Sequence, residues 1–254
     1  MILAIDIGNT NIVIGCCQDD TIKFTERVST NRSATELEYA IFLKTVLELY
    51  GVSAESINGA IISSVVPSLT HTMKNAAAKI TGCDAMIVGP GVKTGVNIVI
   101  DDPAQLGSDL AVAAAAAICE YPVPLIIIDM GTATTVSVID ERKNYIGGMI
   151  LPGVATSLES LASMTSQLPR ISAEVPKKLI GSNTVDCMQS GILYGSAAQM
   201  DGLISRINED RKMTHTVVAT GGLARLIAPL CREKIILDDD LLLKGLTVIY
   251  SKNS

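Results

Sequence analysis

No basic cluster, no long apolar run and no paired-cysteine spacing occurs in this 254-residue sequence, and each absence removes a class of function. Twenty Lys and Arg stand against 26 Asp and Glu, a formal charge of −6. The basic residues nowhere gather into a stripe that could track phosphates, so nucleic acid is not an expected partner. The longest apolar run, Leu110 to Cys119, is mostly alanine and falls short of the roughly 18 residues that a membrane-spanning helix needs. No membrane association is expected. The chain opens directly on Met1-Ile2-Leu3-Ala4-Ile5-Asp6, without the basic region and long apolar core of a signal peptide, which points to a cytoplasmic protein. Cys16, Cys17, Cys83, Cys119, Cys187 and Cys231 lack C-x-x-C spacing in a chain too large to need disulfide staples, so reduced and mostly buried thiols are expected. His71 and His215, the two histidines, have no zinc spacing and stand near no nucleophile motif, which implies surface or incidental roles. The segment Gly89-Pro90-Gly91-Val92-Lys93-Thr94 lacks the spacing of a P-loop and reads as an ordinary loop.

With 48% apolar and 18% charged residues, the chain can bury the core of one large or two small domains. Its most informative feature is an internal echo. An apolar strand running into Asp-x-Gly and small polar residues occurs twice, at Asp6-Ile7-Gly8-Asn9-Thr10 and at Asp129-Met130-Gly131-Thr132-Ala133-Thr134. Ile2 to Ile5 and Leu125 to Ile128 lead into the two copies; Ile12-Val13-Ile14 and Thr134 to Ile139 follow them. Third strands are expected at Thr21 to Val28 and Tyr145 to Ile150, after turns at Gln18-Asp19-Asp20 and Arg142-Lys143-Asn144. Two β-β-β units thus begin two similar half-molecules, residues 1–120 and 121–254, with Pro122 and Pro124 interrupting the pattern at the boundary.

Ser33-Ala34-Thr35-Glu36 has capping-box spacing ahead of a helix whose apolar face is read as Leu37, Ile41, Val46, Leu47 and Tyr50. Further along, Ala60 to Val66 and Ala85 to Val88 read as strands and Leu69 to Lys79 as a helix. Later helices are expected at Val154 to Met164 and from Thr184 to about Asn208, and a strand at Thr216 to Ala219. Strands alternating with helices give an α/β class. Each Asp-x-Gly turn exposes backbone N–H groups to an anion, with Gly8 removing the Cβ obstacle in the first. Asn9, Thr10 and Asn11 add neutral donors, and Asp6 could hold a hydrated Mg²⁺. One copy alone is explained as well by an ordinary turn. Asp109 stands in the first turn of a helix running to Cys119, where helix-dipole stabilisation of about 0.3–1 kcal/mol is a sufficient reason for a carboxylate.

The duplicated turns, with Thr220-Gly221-Gly222 after a later strand, resemble the actin, hexokinase and heat-shock ATPase superfamily. That likeness implies two RNase H-like domains with a cleft between them, and a Gly-Gly turn against adenosine. The resemblance sharpens to type III pantothenate kinase through Asp6-Ile7-Gly8-Asn9-Thr10-Asn11, Gly107-Ser108-Asp109, Gly147-Gly148-Met149-Ile150-Leu151-Pro152-Gly153, Gln167-Leu168-Pro169, Gly181-Ser182-Asn183-Thr184 and the closing Asp238 to Leu246. The resemblance implies phosphorylation of pantothenate by ATP, with Asp6, Ile7, Gly8, Asn9, Thr10, Asn11, Ile12 and Val13 on the ATP phosphates and Thr132 on the nucleotide. It implies Mg²⁺, and K⁺ or NH₄⁺ held by Asp129. Gly107, Ser108, Asp109 and Leu110 would contact pantothenate, Thr184 would do so from the neighbouring subunit of a homodimer, and Asp109 would be the general base. Two positions depart from the family pattern: Leu110 stands where an Arg is usual and Ile100 where a Tyr is common. Both fall on the acceptor side, with Arg170 a basic residue that could compensate. They leave room for a kinase of another small hydroxylated acid or sugar. A non-catalytic nucleotide-sensing dimer is the other alternative.

Overall fold

The computed structural model describes residues 1–18 and 21–254, so the turn expected at Gln18-Asp19-Asp20 lies, at its second and third residues, outside the described residues. The chain forms two compact units. Unit 1 comprises Met1–Asn97, Asp101–Glu120 and Asp240–Ser254; unit 2 comprises Ile98–Ile100 and Tyr121–Asp239. The sequence division placed the carboxy-terminal segment with the second half. The structure instead returns it to unit 1, because Leu243, Leu246 and Ile249 bury their side chains there.

In unit 1, β1 (Ile2–Ile7), β2 (Asn11–Gln18) and β3 (Thr21–Ser29) form an antiparallel meander. After α1 (Glu36–Leu49), β4 (Gly59–Ser64) adds parallel to β1; after α2 (Pro67–Thr81), β5 (Met86–Ile87) adds parallel to β4. The strand order is β3-β2-β1-β4-β5. Side chains alternate across a strand, so the two faces can be read separately. Leu3, Ile5, Ile7, Ala60 and Ile62 pack with Leu43, Leu47, Leu69 and Met73 of α1 and α2. Ala4 and Ile61 face the other way, against Val112 and Ala115 of α3 (Ser108–Glu120) and the carboxy-terminal helix. Asp6 and Ser63 are the next residues on that second face. The short strand β6 (Asn97–Ile98) precedes α3 in the chain and belongs to the edge of the second sheet.

Unit 2 repeats the plan. β7 (Leu125–Met130), β8 (Ala133–Ile139) and β9 (Asn144–Pro152) form a meander, followed by α4 (Val154–Met164) and α5 (Thr184–Arg211). Then β10 (Thr216–Thr220) adds parallel to β7 and, after the short α6 (Ala224–Ile227), β11 (Ile236–Leu237) adds parallel to β10. The order β11-β10-β7-β8-β9-β6 is that of the first sheet read in reverse, with one edge strand added. The carboxy-terminal helix, α7 (Leu241–Ser251), closes the chain. Gly245 on α7 has backbone where a Cβ would run into the Val112 carbonyl, so α3 and α7 approach as closely as the alanine run allows.

Several local expectations are corrected. The cap of α1 is Thr35 with Glu38, not Ser33 with Glu36: Glu38 N donates to Thr35 Oγ1 at 3.4 Å and Thr35 N donates to Glu38 Oε2 at 2.7 Å. The buried face shifts with it to Tyr39, Ala40, Leu43, Val46 and Leu47, and Leu37 and Ile41 are exposed. Of the cysteines, all free, only Cys16 and Cys17 are fully buried, and Cys119 and Cys187 are exposed. His215 is buried rather than superficial, with Nδ1 2.8 Å from Asn208 Oδ1.

The turn between β8 and β9 shows how a short loop is fixed. Lys143 takes a left-handed φ of 65°, and the Asp140 carboxylate accepts from Arg142 N at 2.9 Å and from Asn144 N and Nδ2 at 2.8 Å each. Burial pushes the Asp140 carboxyl up, but the bonds from Asn144 and Arg142 outweigh it and hold it below the ordinary carboxylate range. A depressed folded-state pKa gives stability that is present above the unfolded value and lost as pH falls through the folded one. Asp140→Ala is therefore expected to cost about 1–3 kcal/mol in chemical denaturation near neutral pH. The gap between variant and parent should narrow in acid.

Candidate active site

The turn after β1 is built around Asp6, the penultimate strand residue, which is 6% exposed. Beyond it Gly8 N donates to Asn11 O at 2.9 Å, and a Cβ on Gly8 would lie 2.9 Å from that same oxygen. Only glycine fits without displacement. Asn9 and Thr10 are exposed at the tip, whereas Ile7 and Ile12 are sunk in the core and offer a ligand nothing but main chain. The segment leaving β3 clasps the turn. Thr30 N donates to Thr10 O at 2.8 Å, Thr30 Oγ1 donates to Gly8 O at 2.7 Å, and Arg32 Nη2 donates to Asn9 Oδ1 at 2.9 Å.

Asp109 comes to the same end of unit 1. Asp6 and Ser63 are register partners on parallel strands, so their side chains share a sheet face. Ser63, fully buried, donates to Ser108 Oγ at 3.1 Å, and Ser108 Oγ donates to Ser64 O at 3.1 Å. These bonds seat the first turn of α3 on the end of β4 and set Asp109 one residue away. The half-buried Asp109 carboxylate accepts from Leu110 N at 2.8 Å, and a Cβ on Gly107 would collide with it. Burial pushes its carboxyl above the ordinary range, with backbone N–H bonds from Leu110 and from Asp109 itself pulling back. A buried carboxylate of raised pKa is a better proton acceptor than a solvated one.

In unit 2, Asp129 is the penultimate residue of β7, as Asp6 is of β1, and its register partner on the parallel neighbour is again a buried hydroxyl residue, Thr220. Gly221, at φ 95°, lies against the acid: a Cβ there would stand 2.5 Å from Asp129 Oδ1 and 2.6 Å from Met130 N. The Thr132 side chain is exposed, and its carbonyl is held by Thr156 Oγ1 at 2.7 Å and Gly153 N at 3.2 Å. The structure therefore joins three sequence motifs: Asp129 to Thr132, Gly147 to Gly153 and Thr220 to Gly222.

Thr184 is exposed in the first turn of α5, beside a cavity of about 540 Å³ that Gly181, Asn183, Cys187 and Met188 also line. Ile100 is half-buried in unit 2, and Leu110 is half-buried in unit 1. Arg170 is exposed and paired with Glu159 at 2.7 Å.

The donor set is hard oxygen throughout. Asp6 with the Ser63 hydroxyl beside it suits Mg²⁺, which takes one or two carboxylates and keeps its remaining ligands as water or phosphate. At Asp129, the main chain of Gly221 lies too close to Oδ1 for a side chain to fit between them. Among the described residues no group of three His, Cys, Asp or Glu forms a self-sufficient metal cage. Sequence reasoning missed Ser63, Thr30 and Arg32. The polar pair Ser63-Ser64 closing an otherwise apolar strand was the available signal for the first; nothing in the sequence ties Thr30 or Arg32 to the turn.

A family model described as type III pantothenate kinase matches residues 2–206. A type III pantothenate kinase of Halalkalibacterium halodurans is 45% identical over 253 residues, covering 100% of each chain. Among solved structures, component A of the (R)-2-hydroxyglutaryl-CoA dehydratase of Acidaminococcus fermentans is similar with a TM-score of 0.57 at 17% identity, covering 98% of this chain and 96% of its own. A ROK family glucokinase of Streptomyces griseus, solved with glucose and AMPPNP, gives 0.51 at 14% identity, covering 99% and 98%. These likenesses are of fold, and each unit has the actin-like ATPase plan.

Proposed function

This chain belongs to the type III pantothenate kinase family, and on that premise we propose that it transfers the γ-phosphoryl group of ATP to the primary hydroxyl of pantothenate. The products are ADP and 4′-phosphopantothenate, and the reaction is the first step of coenzyme A biosynthesis. The observation that supports the reading is the Ser63–Ser108 bond within unit 1, which ties the helix turn bearing Asp109 to the strand on which Ser63 is the register partner of Asp6. Full-length identity to named pantothenate kinases favours neither a kinase of another acid or sugar nor a silent nucleotide sensor.

In this mechanism the backbone and side chains from Asp6 to Val13 bind the ATP phosphates, and Thr132 touches the nucleotide. Gly107, Ser108, Leu110 and Ile100 position pantothenate. Asp109 accepts the proton of the pantothenate hydroxyl as its oxygen bonds to the γ-phosphorus; the bond from phosphorus to the β,γ-bridging oxygen breaks, and ADP leaves with that electron pair. Phosphoryl transfer asks mainly for positioning and charge neutralisation, so one carboxylate and an anion-binding turn suffice without an activated His or Cys. When bound, Mg²⁺ at Asp6 supplies neutralisation of phosphate charge, and Asp129 holds K⁺ or NH₄⁺. Thr184 meets pantothenate from the second subunit of a homodimer, and the enzyme works in the cytoplasm. Leu110 gives the pantothenate carboxylate no cation at that position, and Ile100 gives it no phenol, so its affinity depends on main-chain donors and neighbouring residues.

The test is ADP release by the purified protein with Mg²⁺ and K⁺ or NH₄⁺. Release that depends on pantothenate, and is not reproduced by sugars or other hydroxy acids, is the expected result. Nucleotide binding with no acceptor-stimulated turnover would overturn the reading. No helix among the described residues is long and apolar enough to cross a membrane.

A further inference from the structure

The clasp around the first phosphate turn ends in an arginine that the mechanism above leaves unused. We infer that Arg32 is a nucleotide-phosphate ligand, its guanidinium binding the β- and γ-phosphoryl oxygens of ATP held at the turn from Asp6 to Asn11. The inference rests on the reading of that turn as the phosphate site.

Three observations converge on it. First, Arg32 is placed and not merely nearby. It follows Asn31, whose Oδ1 accepts from Ser33 N at 3.1 Å and Ser33 Oγ at 2.8 Å, and whose carbonyl accepts from Ala34 N at 3.2 Å and Tyr39 Oη at 2.8 Å. Tyr39 is buried in the core under α1, so this small turn is anchored to the fold. Second, the Arg32 guanidinium donates one of its five N–H groups to Asn9 Oδ1, on the exposed tip of the phosphate turn. That bond fixes the Asn9 amide with its carbonyl toward Arg32, which leaves Nδ2 as a donor. Third, the charge is uncommitted: among the described residues Arg32 takes part in no ion pair, unlike Arg170 and Arg225.

A cation held at an anion-binding turn by a neutral amide, with most of its donors open, has the chemistry of a phosphate clamp, since a guanidinium fork matches phosphoryl oxygens two at a time. Lysine would supply the charge and lose the fork.

The experiment is nucleotide titration by calorimetry, in Mg²⁺ buffer, of the parent protein, Arg32→Ala and Arg32→Lys against ATP and AMP. Arg32→Ala should weaken ATP binding at least about 10-fold while AMP, which lacks the β- and γ-phosphates, changes by less than about 2-fold. Arg32→Lys should recover part of the ATP affinity and none of the geometry, so its turnover remains below the parent's. Equal losses for ATP and AMP would make Arg32 a prop for the turn and overturn the assignment, as would unchanged ATP affinity in Arg32→Ala. Should the parent itself bind AMP as tightly as ATP, the phosphate-turn reading fails first and takes this inference with it.

Discussion

Asp109→Asn is expected to bind ATP as the parent does and to lose at least about 10²-fold in turnover, the range that general-base action contributes. The substitution keeps the shape of the side chain. It also keeps an oxygen for the Leu110 N–H, which donates to Asp109 Oδ1 at 2.8 Å, so the first turn of α3 retains its seat on β4. What is lost is the ability to take a proton. The pH profile adds a second reading. Burial lifts the Asp109 carboxyl above its ordinary range, and a base works only when ionised. The acid limb of the parent's turnover should therefore lie at higher pH than an unperturbed carboxylate would give, and that limb should be missing from the residual activity of the Asn variant. Stability runs the opposite way. A carboxyl whose folded-state pKa is raised favours folding only below its unfolded pKa, and that contribution is lost as pH rises through the folded value. At neutral pH the Asn variant should accordingly be no less stable than the parent in chemical denaturation. Wild-type turnover in Asp109→Asn would remove this residue from the mechanism.

What the sequence could announce and what it could not follow from the range of the forces involved. The echo of Asp6-Ile7-Gly8 in Asp129-Met130-Gly131 is a local pattern, and alternation with glycine punctuation is enough to read it. The structure shows the echo continuing into topology, with both acids penultimate on the first strand of a meander and both registered against a buried hydroxyl, Ser63 or Thr220. Register across parallel strands depends on pairing between segments more than 50 residues apart, which no local pattern encodes. The same limit hid the clasp of Thr30 and Arg32 on the turn, and the return of α7 to unit 1. The face of α1 is legible only in part, with Val46 and Leu47 buried as the pattern implies, for a different reason. Leu37 and Ile41 have helical spacing, yet the cap at Thr35 and the anchor at Tyr39 rotate the helix so that Ala40 and Leu43 are buried instead.

Gly221→Ala is expected to combine backbone strain with steric collision beside Asp129. Gly221 has φ 95°, and its added Cβ would come within 2.5 Å of Asp129 Oδ1, 2.6 Å of Met130 N and 2.7 Å of Met130 C. The left-handed backbone costs an L side chain about 1 kcal/mol, and overpacking adds about 1–3 kcal/mol. A loss of about 2–4 kcal/mol in chemical denaturation is the expected sum. The strand cannot easily give way, because β7 is paired along its length with β8 on one side and β10 on the other. The movable party is the Asp129 carboxylate. Its displacement should lower turnover at least about 10-fold even in the fraction that folds, if Asp129 holds a cation the reaction needs. Gly147→Ala separates strain from collision. Gly147 has φ 140° in the same unit, with no atom within 4 Å of an added Cβ, so its variant carries the conformational cost alone. Equal turnover losses in the two variants would show that strain, and not the position of Asp129, is what the reaction feels. A Gly221→Ala enzyme that folds and turns over like the parent would mean that the space beside this acid holds nothing the chemistry uses.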